Sequence, residues 1–112
     1  MDSALAPVIT SAGLARLPRV RPEMVLLDVR PRREFEAEHI DESPNIPFDE
    51  RDAASAELQS ADVERIMLVC RSGQRAHSAY ATLTGAGRTG LSVLDGGVLD
   101  WVATGHSLVR AG

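Results

Sequence analysis

The sequence predicts an α/β fold with a five-stranded, mainly parallel sheet and helices on both faces. Short apolar runs alternate along the chain with helix-like segments, which is the pattern of βα crossover connections between parallel strands. The runs at 24–29 and 66–69 are almost continuously apolar, as expected for strands that are covered on both faces. Glycine and proline residues stand between these segments and mark the turns.

Five segments are predicted as strands because they are apolar or extended and are bounded by turn residues. In chain order they are residues 7–9, 24–29, 45–47, 66–69 and 91–94. Thr10 or Ser11 can cap the first helix, and Pro31 suits the first position of the second. The predicted helices are a first one carrying Leu14 and Leu17, then 31–39, 49–61 and 76–83, and a last one after Gly96 and Gly97.

The composition is that of one small globular protein. Its 112 residues are 44% hydrophobic and 25% charged, so we expect a single domain over residues 1–112, with a core from about 8 to 108. The net charge of -4 argues against a nucleic-acid partner, and the acidic residues at 34–42 are interpreted as a solvated stretch. No apolar stretch is long enough to span a bilayer, and the N-terminus lacks the features of an export signal. We therefore expect no membrane partner and a cytoplasmic location.

The only cysteine, Cys70, opens a short loop between a buried strand and a helix. The loop reads Cys70-Arg71-Ser72-Gly73-Gln74-Arg75. A turn of this kind can direct several backbone N–H groups at one point, and the helix N-terminus adds partial positive charge. Two arginines in the same loop further favour a thiolate. Because ligands bind beyond the carboxyl ends of parallel strands, and Asp28 lies near the end of another predicted strand, this rim is predicted to hold a reactive sulfur or an anion.

The chain resembles single-domain rhodaneses, which are sulfurtransferases, from roughly Val8 to Leu108. Each matching piece is weak alone, but their order and spacing together make a strong resemblance. The pieces are Leu27-Asp28-Val29-Arg30, then Glu34-Phe35, His39-Ile40 and Asn45-Ile46-Pro47, then the loop at 70–75, and finally Leu94-Asp95-Gly96-Gly97 with Trp101 and Gly105.

The resemblance implies sulfur transfer through a persulfide of Cys70, the catalytic residue. A small anionic donor such as thiosulfate would give its sulfane sulfur to the thiolate, and a thiol or cyanide would remove it. The residues implied to bind substrate are Arg71, Ser72, Gly73, Gln74 and Arg75, with backbone N–H groups of 71–75 stabilising the persulfide anion. Asp28 and Arg30 are implied to support the site by tying neighbouring loops together. A lone cysteine and scattered histidines give no spacing for a metal, and no cofactor is expected.

Several alternatives stay open from the sequence. Tyrosine phosphatases use Cys-x5-Arg, whereas Arg75 closes a shorter Cys-x4-Arg loop, which favours a sulfane sulfur over a phosphoryl group. Arsenate reduction on the same fold is a further possibility. The domain could also act with a partner protein, either as a persulfide relay with a protein donor or acceptor or as a non-catalytic binding module. Finally, a lone cysteine after an apolar strand is often only a small buried hydrophobic residue.

Overall fold

The computed structural model of the chain describes residues 7–17, 24–48 and 64–110. Within these ranges, four strands and four helices alternate along the chain. The elements are β1 (Val8–Ile9), α1 (Ser11–Ala15), β2 (Met24–Asp28), α2 (Arg32–Ala37), β3 (Arg65–Val69), α3 (Gln74–Gly85), β4 (Leu91–Leu94) and α4 (Gly97–Ala103). The helix predicted at 49–61 lies outside the described residues.

All four strands are parallel and form one sheet in the order β1-β4-β3-β2. The register pairs Asp28 at the end of β2 with Val69 at the end of β3. Since the strands are parallel, their carboxyl ends meet along one edge of the sheet, and Cys70 follows directly from the inner strand β3. The predicted α/β fold with a parallel sheet is confirmed.

The sheet has four strands in the described residues, where five were predicted. The segment at 45–47 forms only a single bridge, between Asn45 and Asp28. The two backbone bonds are the Asp28 N–H to the Pro44 carbonyl (2.9 Å) and the Ile46 N–H to the Asp28 carbonyl (3.0 Å). Pro44 has no N–H group to extend this ladder toward the start of β2, and at the other end the Phe48 N–H donates to the Val29 carbonyl, one residue out of register, so the segment stays an edge piece.

Alternate residues of β3 bury themselves in two different clusters, which explains why the run at 66–69 is apolar throughout. Ile66 and Leu68 belong to the cluster that includes α3, while Met67 and Val69 belong to the cluster that includes α1 and α4. Helices therefore cover both faces, as predicted. Cys70 continues the alternation and belongs to the α3 cluster, so the strand itself sends this side chain toward the start of α3.

The observed helix ends differ from the predicted ones for local reasons. Thr10 caps α1 as predicted, because its hydroxyl accepts a hydrogen bond from the Gly13 N–H at 3.0 Å. Helix α2 is shorter than the predicted 31–39, since Pro31 occupies the cap position and His39 exchanges two backbone hydrogen bonds of 2.8 Å with Val109. No helix in the described ranges has the length and apolar character that crossing a membrane requires.

Candidate active site

The Cys70 sulfur lies at the base of the loop and accepts two backbone hydrogen bonds. The Gly73 N–H donates to Sγ at 3.0 Å, and the Ala76 N–H donates at 3.3 Å. Cys70 is only 1% exposed, so the loop and the first turn of α3 enclose the sulfur almost completely. Two donors that meet at one sulfur form a cradle that favours negative charge on that atom.

Ala76 was not among the residues predicted to form this cradle. The prediction began α3 at residue 76, whereas the helix begins at Gln74, which makes Ala76 the third residue of its first turn. The first N–H groups of a helix have no partner within the helix, and this one points at the sulfur instead. If the prediction had begun α3 directly after Gly73, the Ala76 N–H would have been expected to point at the sulfur.

Gly73 gives the loop its shape. Its φ angle of 108° lies in the left-handed region, which is strained for residues with a Cβ. This conformation ends the turn and starts α3, as the His77 N–H donates to the Gly73 carbonyl at 2.9 Å. Gly73 therefore has two roles. Its own N–H donates to the sulfur, and its conformation starts the helix that supplies the second donor.

Helix α4 holds the loop from the other side. The Val98 N–H donates to the Cys70 carbonyl at 2.9 Å, and the Leu99 N–H donates to the Arg71 carbonyl at 3.0 Å. This close approach depends on Gly97, because a Cβ at that position would collide with both carbonyl oxygens, coming within 2.6 Å of the one on Arg71. The sequence indicated a glycine turn here but did not reveal that the turn supports the cysteine loop.

Asp28 and Arg30 form a buried ion pair at the end of β2. Arg30 Nη2 lies 2.9 Å from Asp28 Oδ2, and the guanidinium also donates to the Glu38 carbonyl. The Asn45 amide donates to the Asp28 and Arg30 carbonyls, each at 2.9 Å. These contacts tie the β2 end, the end of α2 and the 45–47 segment together. The pair thus connects neighbouring loops, the kind of support that the sequence predicted, and makes no hydrogen bond to the sulfur.

Arg75 is paired with a carboxylate from another element. Its guanidinium reaches Glu34 of α2 with two hydrogen bonds, Nη2 to Oε1 at 3.1 Å and Nη1 to Oε2 at 3.3 Å. Both side chains are about half-exposed. The hydrogen bond from Arg75 lowers the pKa of Glu34 below its usual value, and the charges of Arg30 and Arg71 lower it further. Burial acts in the opposite direction and raises this pKa, but its effect is smaller. The same bond raises the pKa of Arg75. Glu34 was interpreted as part of a solvated stretch; it is partly exposed, and the structure adds its pairing with Arg75.

The Glu34–Arg75 pair gives stability a small pH dependence of known sign. Because the pKa of Glu34 is lower in the folded state, its contribution is full above the unfolded pKa and is lost as the pH falls through the folded pKa. We expect Glu34→Gln to cost about 0.5 kcal/mol near neutral pH, since the pair is exposed to solvent, and almost nothing once the pH has fallen below the folded pKa of Glu34. Urea denaturation at several pH values measures this difference.

The control for that titration is Glu36→Gln, because Glu36 is exposed on the same helix. It should show no comparable pH-dependent loss. A stability difference between wild type and Glu34→Gln that grows toward acid pH would contradict the assigned sign.

The remaining loop residues, Arg71, Ser72 and Gln74, have exposed side chains. Arg71 borders an open groove of about 660 Å³ that runs beside the loop. Its lining combines the charged residues Arg30, Glu34, Glu38 and Arg71 with the apolar residues Ala37, Val98, Leu99, Val102, Ala103 and Leu108. Among the described residues, no three His, Cys, Asp or Glu side chains are grouped in a way that could hold a metal ion.

Sequence comparison agrees with this arrangement. A family model described as a rhodanese-like domain matches residues 12–104. An uncharacterized protein of Synechocystis sp. is 32% identical over 92 residues, a match that covers 82% of this chain and 50% of the relative. The chain thus spans about half the length of that curated relative.

Solved structures show the same fold. A rhodanese-like domain from Anabaena sp. is 25% identical with a TM-score of 0.75, and the match covers 95% of this chain and 80% of that one. A thiosulfate sulfurtransferase from Pseudomonas aeruginosa has a TM-score of 0.78 at 23% identity, and the match covers 96% of this chain but 21% of that one. The second similarity establishes a shared fold alone.

Proposed function

Because this chain belongs to the rhodanese-like domain family, we propose that it is a sulfurtransferase that carries sulfane sulfur as a persulfide of Cys70. The observation that supports this best is the cradle, in which the N–H groups of Gly73 and Ala76 meet at one cysteine sulfur. A cysteine that served only as a small buried hydrophobic residue would not need two aligned donors. The exposed Arg71 guanidinium is suited to attract an anionic donor to the loop.

The proposed first step loads the enzyme. The Cys70 thiolate attacks the outer sulfur of thiosulfate, an S–S bond to Cys70 forms, and the S–S bond of the donor breaks with its electron pair going to sulfite. The product is a Cys70 persulfide anion, whose charge is stabilised by N–H groups of the loop and of the first turn of α3. No general base is needed if the thiol is already ionised.

The proposed second step returns the enzyme to its starting form. A thiolate acceptor attacks the terminal sulfur, a new S–S bond forms on the acceptor, and Cys70 leaves as a thiolate. With cyanide as the acceptor, the product is thiocyanate. The chain has one cysteine, so it cannot resolve the persulfide by an internal disulfide and must pass the sulfur to another molecule.

Intact-mass spectrometry tests the proposal. Incubation with thiosulfate or with an organic persulfide should add about 32 Da, the mass of one sulfur atom, and cyanide should then remove it as thiocyanate. Cys70→Ser should abolish both events, and Ser78→Ala, at an exposed position of α3 outside the loop, is the control that should load as wild type does. The proposal fails if wild type gains no Cys70-dependent sulfur from either donor.

A persulfide relay is a second candidate, supported by the lone cysteine and by the groove beside the loop. In this case a partner protein would supply or receive the sulfur. A loading rate much faster from a persulfidated protein than from either small donor would favour the relay. A non-catalytic binding module would load from none of the three.

The place of Arg75 argues against phosphatase chemistry. A phosphatase of the Cys-x5-Arg type needs its loop arginine to clamp phosphate, whereas Arg75 is engaged by Glu34 outside the cradle. We therefore expect no Cys70-dependent hydrolysis of a phosphotyrosine analogue.

A further inference from the structure

The two arginines of the loop are in different electrostatic states. Glu34 engages Arg75 through both carboxylate oxygens, at 3.1 and 3.3 Å. Arg71 is exposed and forms no ion pair with any residue that the structure describes. The entrance to the loop therefore offers one guanidinium that is open to an incoming anion and one that is already occupied.

These charges lie close enough together to act on one another and on the sulfur. The pKa of Glu34 is lowered first by its hydrogen bond from Arg75 and also by the charge of Arg71. The pKa of Arg75 is raised first by Glu34 and also by the charge of Cys70. An anion that binds at Arg71 beside the sulfur therefore meets the negative field of Glu34, which solvent screens only in part because the carboxylate is half-exposed.

We infer that Glu34 determines the choice of sulfur donor, because by occupying Arg75 it makes the site select organic persulfides over thiosulfate. This inference rests on the proposed sulfurtransferase function. Thiosulfate is a dianion, so it is repelled by Glu34 and finds only one open guanidinium. An organic persulfide, R–S–SH, brings its sulfane sulfur without a sulfonate group.

The apolar residues that line the groove favour the same donors. Leu99 and Val102 are 48% and 49% exposed, and both line the groove that Arg71 borders. An organic carrier group R can cover part of this apolar surface, whereas the strongly hydrated sulfite portion of thiosulfate gains nothing from it.

The step with such a donor is balanced in atoms and charge. The Cys70 thiolate attacks the sulfane sulfur of R–S–SH, an S–S bond to Cys70 forms, and the bond between the two donor sulfurs breaks. The electron pair leaves with R–S⁻, and the terminal sulfur of the new Cys70 persulfide gives its proton to R–S⁻ or to water, which leaves the persulfide anion in the cradle. No oxidant or reductant is required.

The test compares kcat/KM for two donors, thiosulfate and the persulfide of N-acetylcysteine methyl ester, which carries no fixed charge. Glu34→Gln should raise kcat/KM for thiosulfate about five- to tenfold and change that for the persulfide less than about twofold. Glu34→Asp keeps the charge, so its ratio of kcat/KM for thiosulfate to kcat/KM for the persulfide should resemble that of wild type. Glu36→Gln, on the same helix, should leave both values unchanged. Added salt should shrink the effect on thiosulfate.

If Glu34→Gln changed kcat/KM equally for both donors, the inference would be overturned, because such a result would indicate a purely structural role for Glu34. A second readout keeps the inference separate from the proposed function. In a Cys70→Ser background, calorimetry should show that Glu34→Gln binds thiosulfate more tightly. If wild type loads from neither donor, the proposed function fails, and this binding comparison still decides whether Glu34 repels thiosulfate.

Discussion

Asp28→Ala is expected to destabilise the fold by about 3–5 kcal/mol, because it leaves the guanidinium of Arg30 buried without its carboxylate. Arg30 is 6% exposed and Asp28 is fully buried. The carboxylate accepts hydrogen bonds from the Arg30 backbone N–H at 2.9 Å, from Nε at 3.0 and 3.1 Å and from Nη2 at 2.9 Å. The variant would retain only the Arg30 contact with the Glu38 carbonyl, which cannot neutralise the charge.

Urea denaturation of wild type and Asp28→Ala measures this loss. Asp95→Ala is the matched control, since Asp95 directly follows β4 at the same edge of the sheet but is exposed, and it should cost less than about 0.5 kcal/mol. The double variant Asp28→Leu with Arg30→Met should regain much of the stability, because apolar side chains of similar volume need no charge partner. A loss below about 1 kcal/mol in Asp28→Ala would show that the ion pair does not hold this part of the rim together.

Much of the fold could be predicted from sequence because its strongest signals are local. The run Ile66 to Val69 is apolar at every position, and a short run of that kind is expected of a strand buried on both faces. The position of Cys70 follows from the same run, since the residue after an inner parallel strand must lie at the carboxyl edge of the sheet. Gly73 then marks the turn, which is also a local property.

The parts that could not be predicted depend on contacts between distant segments. Glu34 and Arg75 are 41 residues apart, and nothing in either local sequence indicates that α2 lies beside the cysteine loop. The acidic residues around Glu34 have the sequence pattern of a helix face that contacts solvent, and most segments with this pattern do contact solvent. Similarly, the sequence at 45–47 reads as a strand, but its pairing stops at one bridge because the Phe48 N–H donates to the Val29 carbonyl, one residue out of register with β2. Tertiary placement decides both cases.

Gly97→Ala is expected to destabilise the fold by about 2–4 kcal/mol and to slow sulfur loading of Cys70 about tenfold or more. Two effects add. Gly97 has a φ of 62°, where a Cβ is strained, and that Cβ would also press on the carbonyl oxygens of Cys70 and Arg71. These oxygens accept the hydrogen bonds by which α4 holds the loop, so relief of the collision must move the loop or the helix.

Gly105→Ala separates the two effects. Gly105 also has a positive φ, 95°, but nothing lies within 4 Å of the position its Cβ would occupy. This control should therefore show only the backbone strain, about 1 kcal/mol, with normal loading of Cys70 as measured by intact mass. If both glycine variants lose the same stability and load sulfur at the same rate, the contact between Gly97 and the loop has no role. If only Gly97→Ala loads slowly while it remains folded, the geometry of the cradle depends on α4. In that case a residue outside the cysteine loop determines how well the loop can hold a persulfide.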